Sequence, residues 1–187
     1  MRLSASLITG ALALASTVTY AQEKAEPAHF HHIHYNVTDP AKTIAFYKRV
    51  LGAVEVNYRN KSKALFTERS FFLLNKVASP PSWQPHTAIS HIGWAATDGP
   101  SDFEWLKKQG VEMETPMGDL GNNQGMYFYG PDKELVEIWT GSRNHRFEHI
   151  HMWGTDAGVT AAWFQTHLGF AARVGPKPTL KDYENIA

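Results

Sequence analysis

Hydrophobic and polar positions alternate from residue 30 to residue 37, which predicts a strand with one face packed under a helix. The apolar spacing then becomes helical in "AKTIAFYKRVLG", with Asp39 as the N-cap and Gly52 as the stop. The segments "AVEVNY", "KALFTE" and "RSFFLLNK" predict three further strands. The order of elements is therefore βαβββ.

This pattern recurs about every 58 residues, in "HIHYNVTD", "HIGWAATD" and "HIHMWGTD", which begin at His32, His91 and His149. The second copy completes another βαβββ unit, whereas the third contains only a strand, a helix and the start of a second strand. We predict four segments: a first module at 29–78, a Pro-rich linker at 79–87, a second module at 88–142 and an incomplete third module at 146–187.

Strand alternation assigns the histidines to the face away from the helices. Ile33 and Ile92 point toward the helix, so His32 and His91 point the other way, as does Glu137 in "LVEIWT". A single strand histidine is more often a solvated residue, but the repeated register favours a shared site. Two imidazoles and one carboxylate are a known three-ligand set for a divalent metal, with positions left open for substrate or water.

Other side chains share the parity of this site. His34 has the right parity but lies further along its strand, so it is a candidate for substrate contact or for support of the ligands. Tyr127 and Tyr129 share one face of the neighbouring strand, and Trp139 flanks Glu137. We predict Tyr129 and Trp139 as substrate contacts and Tyr127 as a catalytic, proton-handling phenol; cavity-wall packing is the alternative for the tyrosines.

Composition and the N-terminal segment indicate where the protein acts and which partners and chemistries are excluded. Residues 1–21 have the features of a secretory signal: Arg2, an apolar run and a small-residue site that ends at Ala21. Without them the chain has 17 basic and 18 acidic side chains, which argues against an electrostatic nucleic-acid binder. No cysteine is present, so disulfides, thiolate ligands and cysteine nucleophiles are excluded. We expect a periplasmic or secreted protein without a membrane anchor.

The stretches "HIHYNVTDPAKTIAFYKRVLG" and "YFYGPDKELVEIW" resemble the vicinal oxygen chelate superfamily, which includes glyoxalase I, bleomycin and fosfomycin resistance proteins and extradiol dioxygenases. The resemblance implies an α+β fold in which two βαβββ modules form a cupped eight-stranded mixed sheet with helices on its outer face. It also implies a divalent metal (Fe²⁺, Mn²⁺, Zn²⁺ or Ni²⁺) held by the first and last strands, which here means His32, His91 and Glu137. "RSFFLLNK" has no carboxylate at the fourth position, as in the three-ligand members.

The resemblance leads us to expect an exported, metal-dependent enzyme that binds a small oxygen-bearing substrate through two oxygens. Ring cleavage of the dioxygenase type and lyase or isomerase chemistry both remain open. The alternative is a periplasmic protein that sequesters a small molecule without chemistry, as bleomycin resistance proteins do. For the third copy we expect no metal at His149 and poor order beyond about residue 175. It would need strands from a partner chain, as in a homodimer, or from further modules of a longer protein.

Overall fold

The computed structural model describes residues 28–67, 70–80, 88–120 and 123–170. The predicted signal segment at 1–21 lies outside the described residues, as do most of the predicted linker and the tail beyond residue 175. The chain has α+β architecture, with two sheets and three helices in the described part.

The first unit consists of β1 (His32–Val37), α1 (Pro40–Leu51), β2 (Val54–Tyr58), β3 (Ser62–Phe66) and β4 (Phe71–Lys76). Its four strands lie in the order β1-β4-β3-β2, with β1 parallel to β4. The helix begins where the Asp39 carboxylate accepts hydrogen bonds from the backbone N–H groups of Ala41 and Lys42. It ends at Gly52, which has the left-handed conformation, with φ 64°.

The second unit repeats this order with β5 (Ile89–Ala96), α2 (Gly99–Lys108), β6 (Met113–Leu120), β7 (Asn123–Tyr129) and β8 (Leu135–Thr140). The third contributes β9 (Arg146–Met152) and α3 (Ala157–Leu168). All five later strands form one sheet in the order β6-β7-β8-β5-β9, in which β9 runs antiparallel to β5. The third copy of the repeat is therefore joined to the second through β9.

The α+β class and the βαβββ order are confirmed, but the strands are distributed differently from the single eight-stranded cup that we expected. The described strands form one sheet of four and one of five. The outer edge of β5 is occupied by β9, which follows β8 after the short loop 141–145. Because this connection is short, bringing β9 to β5 loses little loop-closure entropy. Ile92 lies opposite Ile150 on the apolar side of the sheet.

The two complete units share one hydrophobic core between their helix-bearing sides. Phe72 of β4 stacks on Trp94 of β5, with ring centroids 5.6 Å apart. The buried Tyr47 hydroxyl of α1 donates a hydrogen bond of 2.6 Å to Glu134, just before β8. This packing leaves the opposite face of the five-stranded sheet to the polar residues of β5, β8 and β9.

The third helix is the least covered of the three. Val159 of α3 is 67% exposed and Trp163 is 52% exposed. The third unit contributes only β9 to the described sheets, so α3 has little of its own sheet to pack against. None of the helices in the described ranges is both long enough and apolar enough to span a membrane.

Candidate metal centre

One row of residues crosses four neighbouring strands of the five-stranded sheet. Tyr127 of β7 lies opposite Glu137 of β8, Glu137 lies opposite Gly93 of β5, and Gly93 lies opposite His149 of β9. Side chains at paired positions project from the same face of a sheet. The row therefore brings Tyr127, Glu137 and His149 together on the face that the helices leave uncovered.

Three imidazoles converge on one oxygen of Glu137, whose side chain is only 2% exposed. His149 Nε2 lies 2.8 Å from Glu137 Oε2, and His91 Nε2 lies 3.1 Å from the same atom. His151 Nδ1 is 3.8 Å from it and also contacts His91 Nε2. The ligating atoms of these four residues all lie within 4.8 Å of one another.

Tyr127 holds the other oxygen of the same carboxylate. Its hydroxyl donates a hydrogen bond of 3.0 Å to Glu137 Oε1, and its ring contacts that of His91 edge-on. Burial and the negative charge of Glu137 raise the pKa of Tyr127 well above its usual value. The phenol therefore stays protonated and acts as a hydrogen-bond donor at this site.

The charges of the cluster are strongly coupled. Burial opposes ionisation of Glu137, but hydrogen bonds from His149 and His91 hold its pKa well below the usual range. Burial also opposes protonation of His149, but hydrogen bonds to Glu137 and Glu148 raise its pKa to about 9. Burial and the neighbouring His91 and His149 lower the pKa of His151 to about 4. At neutral pH the metal-free cluster therefore contains the Glu137 carboxylate and the His149 imidazolium, with His151 neutral.

Two irregularities in the pairing of β5 with β9 orient the side chains of His91 and His149. The register shifts once between Ile89 and His91 and again between Gly93 and Trp94, which places Ser90 and Glu148 at bulges. Ser90 Oγ lies 3.0 Å from His91 Nδ1, and Glu148 Oε2 lies 2.8 Å from His149 Nδ1. In both histidines Nδ1 is engaged by the bulge residue, and Nε2 is the atom that faces Glu137.

The donor set and its spacing fit a divalent metal ion. Ligand atoms about 2.1 Å from a zinc-like ion stand about 3.0 Å apart at right angles and about 3.4 Å apart at the tetrahedral angle. The separations of 2.8, 3.1 and 3.8 Å around Glu137 Oε2 lie around these two values, from slightly below the first to somewhat above the second. A buried carboxylate surrounded by imidazoles is a nitrogen and oxygen donor set that suits Zn²⁺, Fe²⁺, Mn²⁺ or Ni²⁺.

The structure brings together two of the three predicted metal ligands, His91 and Glu137. The third, His32, lies on β1 of the other sheet, where its Nδ1 is 2.8 Å from that of His31. Within the described chain it does not belong to the four-residue group. Its role as a ligand stays a prediction.

The predicted substrate contacts are divided between the two sheets. Tyr129 and Trp139 lie two positions from Tyr127 and Glu137 along their strands, so they share the face of the cluster. His34 lies on β1, and its Nδ1 is 3.5 Å from Asn75 Nδ2. The roles of all three in binding a substrate stay predictions.

His149 and His151 belong to the cluster although neither is among the predicted ligands. We expected no metal at His149 because the third unit has no final strand with a carboxylate. The structure shows that β9 instead meets His91 and Glu137 of the second unit. The available signal was the register of "HIHMWGTD", which repeats that of "HIHYNVTD" and so assigned His149 to the ligand face.

Comparison with known proteins gives the family. The model of the Glyoxalase/Bleomycin resistance protein/Dioxygenase superfamily matches residues 29–138. The chain belongs to this superfamily. The resemblance drawn from the repeated motifs is thereby confirmed. The expected cofactor class, a divalent metal ion, is confirmed by the family together with the His and Glu cluster.

Individual relatives agree with this assignment. The metallothiol transferase FosB of Staphylococcus haemolyticus is 31% identical over 124 residues, which cover 63% of this chain and 87% of that protein. The fosfomycin resistance protein FosX of Listeria monocytogenes is 25% identical with a TM-score of 0.51, over 63% of this chain and 97% of FosX.

A glyoxalase I from Zea mays, crystallised as a mutant form, has a higher TM-score of 0.63 at 16% identity. That likeness covers 76% of this chain and 56% of the maize chain. At this low identity it bears on the fold alone. It includes a larger share of this chain than the matches to FosB and FosX do.

Proposed function

We propose that the chain is a metal-dependent enzyme that adds a nucleophile to a small, oxygen-bearing electrophile. The observation that carries the proposal is the buried Glu137 carboxylate, on which His91 and two further imidazoles converge. A ligand group of this kind, on an open sheet face, leaves room for substrate oxygens beside the protein ligands. The names of FosB, a metallothiol transferase, and FosX, a fosfomycin resistance protein, support this class of reaction.

A bound divalent ion would act as a Lewis acid that stabilises negative charge on a substrate oxygen. The chain itself would hold that ion through Glu137 and His91 with one or both histidines of β9. Tyr127 keeps its proton and donates it to the second carboxylate oxygen, so its own oxygen can accept a hydrogen bond from the nucleophile or another donor beside the cluster. In the proposed step the substrate is an epoxide, and a thiol or water forms a bond to one carbon of its three-membered ring. The carbon–oxygen bond breaks, and the nucleophile's proton ends on the released oxygen.

The test uses fosfomycin, whose strained epoxide is a suitable small electrophile. The metal-loaded protein is incubated with fosfomycin and cysteine, glutathione or no thiol, and the products are followed by ³¹P NMR. The test extends to a panel of small epoxides and ketoaldehydes, and an oxygen electrode follows reactions with catechols. Metal-dependent adduct or diol formation without oxygen uptake supports the proposal. Oxygen-consuming ring cleavage, or no turnover across the panel by protein with stoichiometric metal, rejects it.

Export is a separate part of the proposal. It rests on the apolar run and the small-residue site that ends at Ala21. Expression of the full chain in a Gram-negative host, followed by fractionation and N-terminal sequencing, tests it. A periplasmic product that begins at Gln22 supports export, whereas a cytoplasmic product that retains Arg2 contradicts it.

A further inference from the structure

The pair formed by His91 and Glu137 needs at least one more protein ligand, and the repeat offers His32 and His149 in equivalent registers. We propose that the third ligand is His149, supplied by the same chain, seated over Gly93 and oriented by Glu148. This inference rests on the proposed metal centre and adds the identity of the residue that completes it.

The space above Gly93 is filled by the His149 ring. A Cβ built at this position would lie 2.0 Å from His149 Cε1, 2.1 Å from its Nε2 and 2.4 Å from its Nδ1. Gly93 does not have a positive φ, so the backbone alone does not call for glycine here. The missing side chain instead makes room for the imidazole, which lies against the backbone of β5 with Nε2 directed at Glu137.

The Glu148 carboxylate accepts a hydrogen bond from His149 and so orients its ring. A carboxylate at neutral pH can only accept, so His149 Nδ1 must carry the proton in this contact of 2.8 Å. The atom left for a metal is then Nε2, which is the one 2.8 Å from Glu137 Oε2. A carboxylate behind a ligating histidine is a frequent arrangement in metal sites, where it fixes the tautomer and the ring orientation.

His32 lies in different surroundings from His149. Its Nδ1 faces that of His31 at 2.8 Å, and its ring lies edge-on to His34. It is placed by β1, which belongs to the four-stranded sheet and pairs there with β4. Within one described chain, β9 occupies the edge of β5 beside His91 and Glu137, so His149 has the position that a ligand strand requires.

A metal titration separates the two histidines. Metal-free wild type, His149→Ala and His32→Ala are titrated with Zn²⁺ in competition with a chelator of known affinity, and circular dichroism checks their folds. We expect His149→Ala to lose at least about 100-fold in affinity and His32→Ala to change by less than about threefold. The reverse order overturns this inference but leaves the metal centre in place. Wild type without a stoichiometric site would instead reject the proposed function.

A second set of variants tests the positioning role of Glu148. Glu148→Gln keeps an acceptor for the Nδ1 proton, whereas Glu148→Ala removes it. We expect Glu148→Ala to weaken Zn²⁺ binding about 10- to 100-fold and Glu148→Gln to stay within about threefold of wild type. Glu104→Ala, at an exposed helix position, is the matched control.

A spectroscopic readout separates positioning by Glu148 from a general effect on the fold. In ¹⁵N NMR of histidine-labelled protein, the Nδ1–H form of His149 should be lost in Glu148→Ala and kept in Glu148→Gln. Equal, wild-type affinities for the alanine and glutamine variants, with unchanged histidine spectra, would overturn the role of Glu148.

Discussion

The imidazole of His149 lies so close to Gly93 that even a methyl group at residue 93 would overlap it. The nearest atom, His149 Cε1, would be only 2.0 Å from the new Cβ. No positive φ requires glycine at this position. The room that the His149 ring needs therefore explains why residue 93 is glycine. The sheet register places Glu137 on the other side of Gly93, so displacement of the ring would separate His149 from the carboxylate.

We therefore predict that Gly93→Ala weakens metal binding by at least about tenfold without unfolding the sheet. The added methyl group pushes the His149 ring away from Glu137, while strand geometry tolerates alanine. Gly118→Ala is the matched control, because a Cβ there meets nothing closer than the Pro116 carbonyl oxygen at 3.8 Å. Calorimetric Zn²⁺ titration of both variants is the measurement. Wild-type affinity in Gly93→Ala would show that the ring need not occupy this place.

Tyr127→Phe removes only the hydroxyl that donates to Glu137 Oε1. We predict that metal affinity stays within about threefold, because Glu137 Oε2 and the imidazoles are untouched, while turnover falls about tenfold or more. Tyr58→Phe, in β2 of the other sheet, is the control. The steady-state rate with the substrate found in the screen is compared at saturating metal. Equal turnover in Tyr127→Phe and wild type would show that Tyr127 contributes only to the packing of the cavity wall.

Metal affinity should rise with pH across the neutral range, up to about pH 9. In the metal-free chain the pKa of His149 is raised to about 9, so below that pH its Nε2 carries a proton that a metal must displace. His151, with its pKa lowered to about 4, is already neutral there. Binding at pH 7.5 should thus release about one proton. Titration calorimetry in buffers of different ionisation enthalpy measures this number, and a value near zero with pH-independent affinity would contradict the assignment.

The pH range over which metal affinity is expected to change differs from the range that the sequence alone suggests. An isolated histidine has a pKa of about 6.5, which predicts that metal binding weakens only below that pH. Glu137 and Glu148 on either side of His149 move the transition upward, and that flanking pair exists only once β9 has joined β5. The sequence could not supply the direction of this shift because the contact between His149 and Glu137 depends on how the strands pair.

Tyr47→Phe tests the packing of the first unit on the second. The Tyr47 hydroxyl donates to Glu134, a carboxylate whose other oxygen accepts from the backbone N–H of Asp132. Burial raises the pKa of Glu134, so loss of the donor leaves a poorly solvated acceptor. We predict a loss of about 1–3 kcal/mol in unfolding free energy. Urea unfolding is the measurement, and no change in the midpoint would mean that this contact contributes nothing to stability.

The local patterns predicted much of the fold and half of the cluster. Strand alternation assigned His91 and Glu137 to one face, and the Asp39 cap and Gly52 stop marked the first helix. What the patterns could not supply was the partner of β5, because pairing between strands depends on edges and loop lengths rather than on local periodicity. Since β9 takes that edge, the sheet assignment of β1 and the position of His149 both differ from expectation.

Elemental analysis of purified wild type and Glu137→Gln tests the central claim, that Glu137 is the anchor of a divalent metal centre. Glutamine keeps the shape of the side chain and an acceptor for Tyr127, but it removes the charge on which His91 and His149 converge. After loading and removal of free metal, we predict one divalent ion per wild-type chain and less than about a tenth of that in Glu137→Gln, with unchanged circular dichroism. Stoichiometric metal in a folded Glu137→Gln variant would contradict the account.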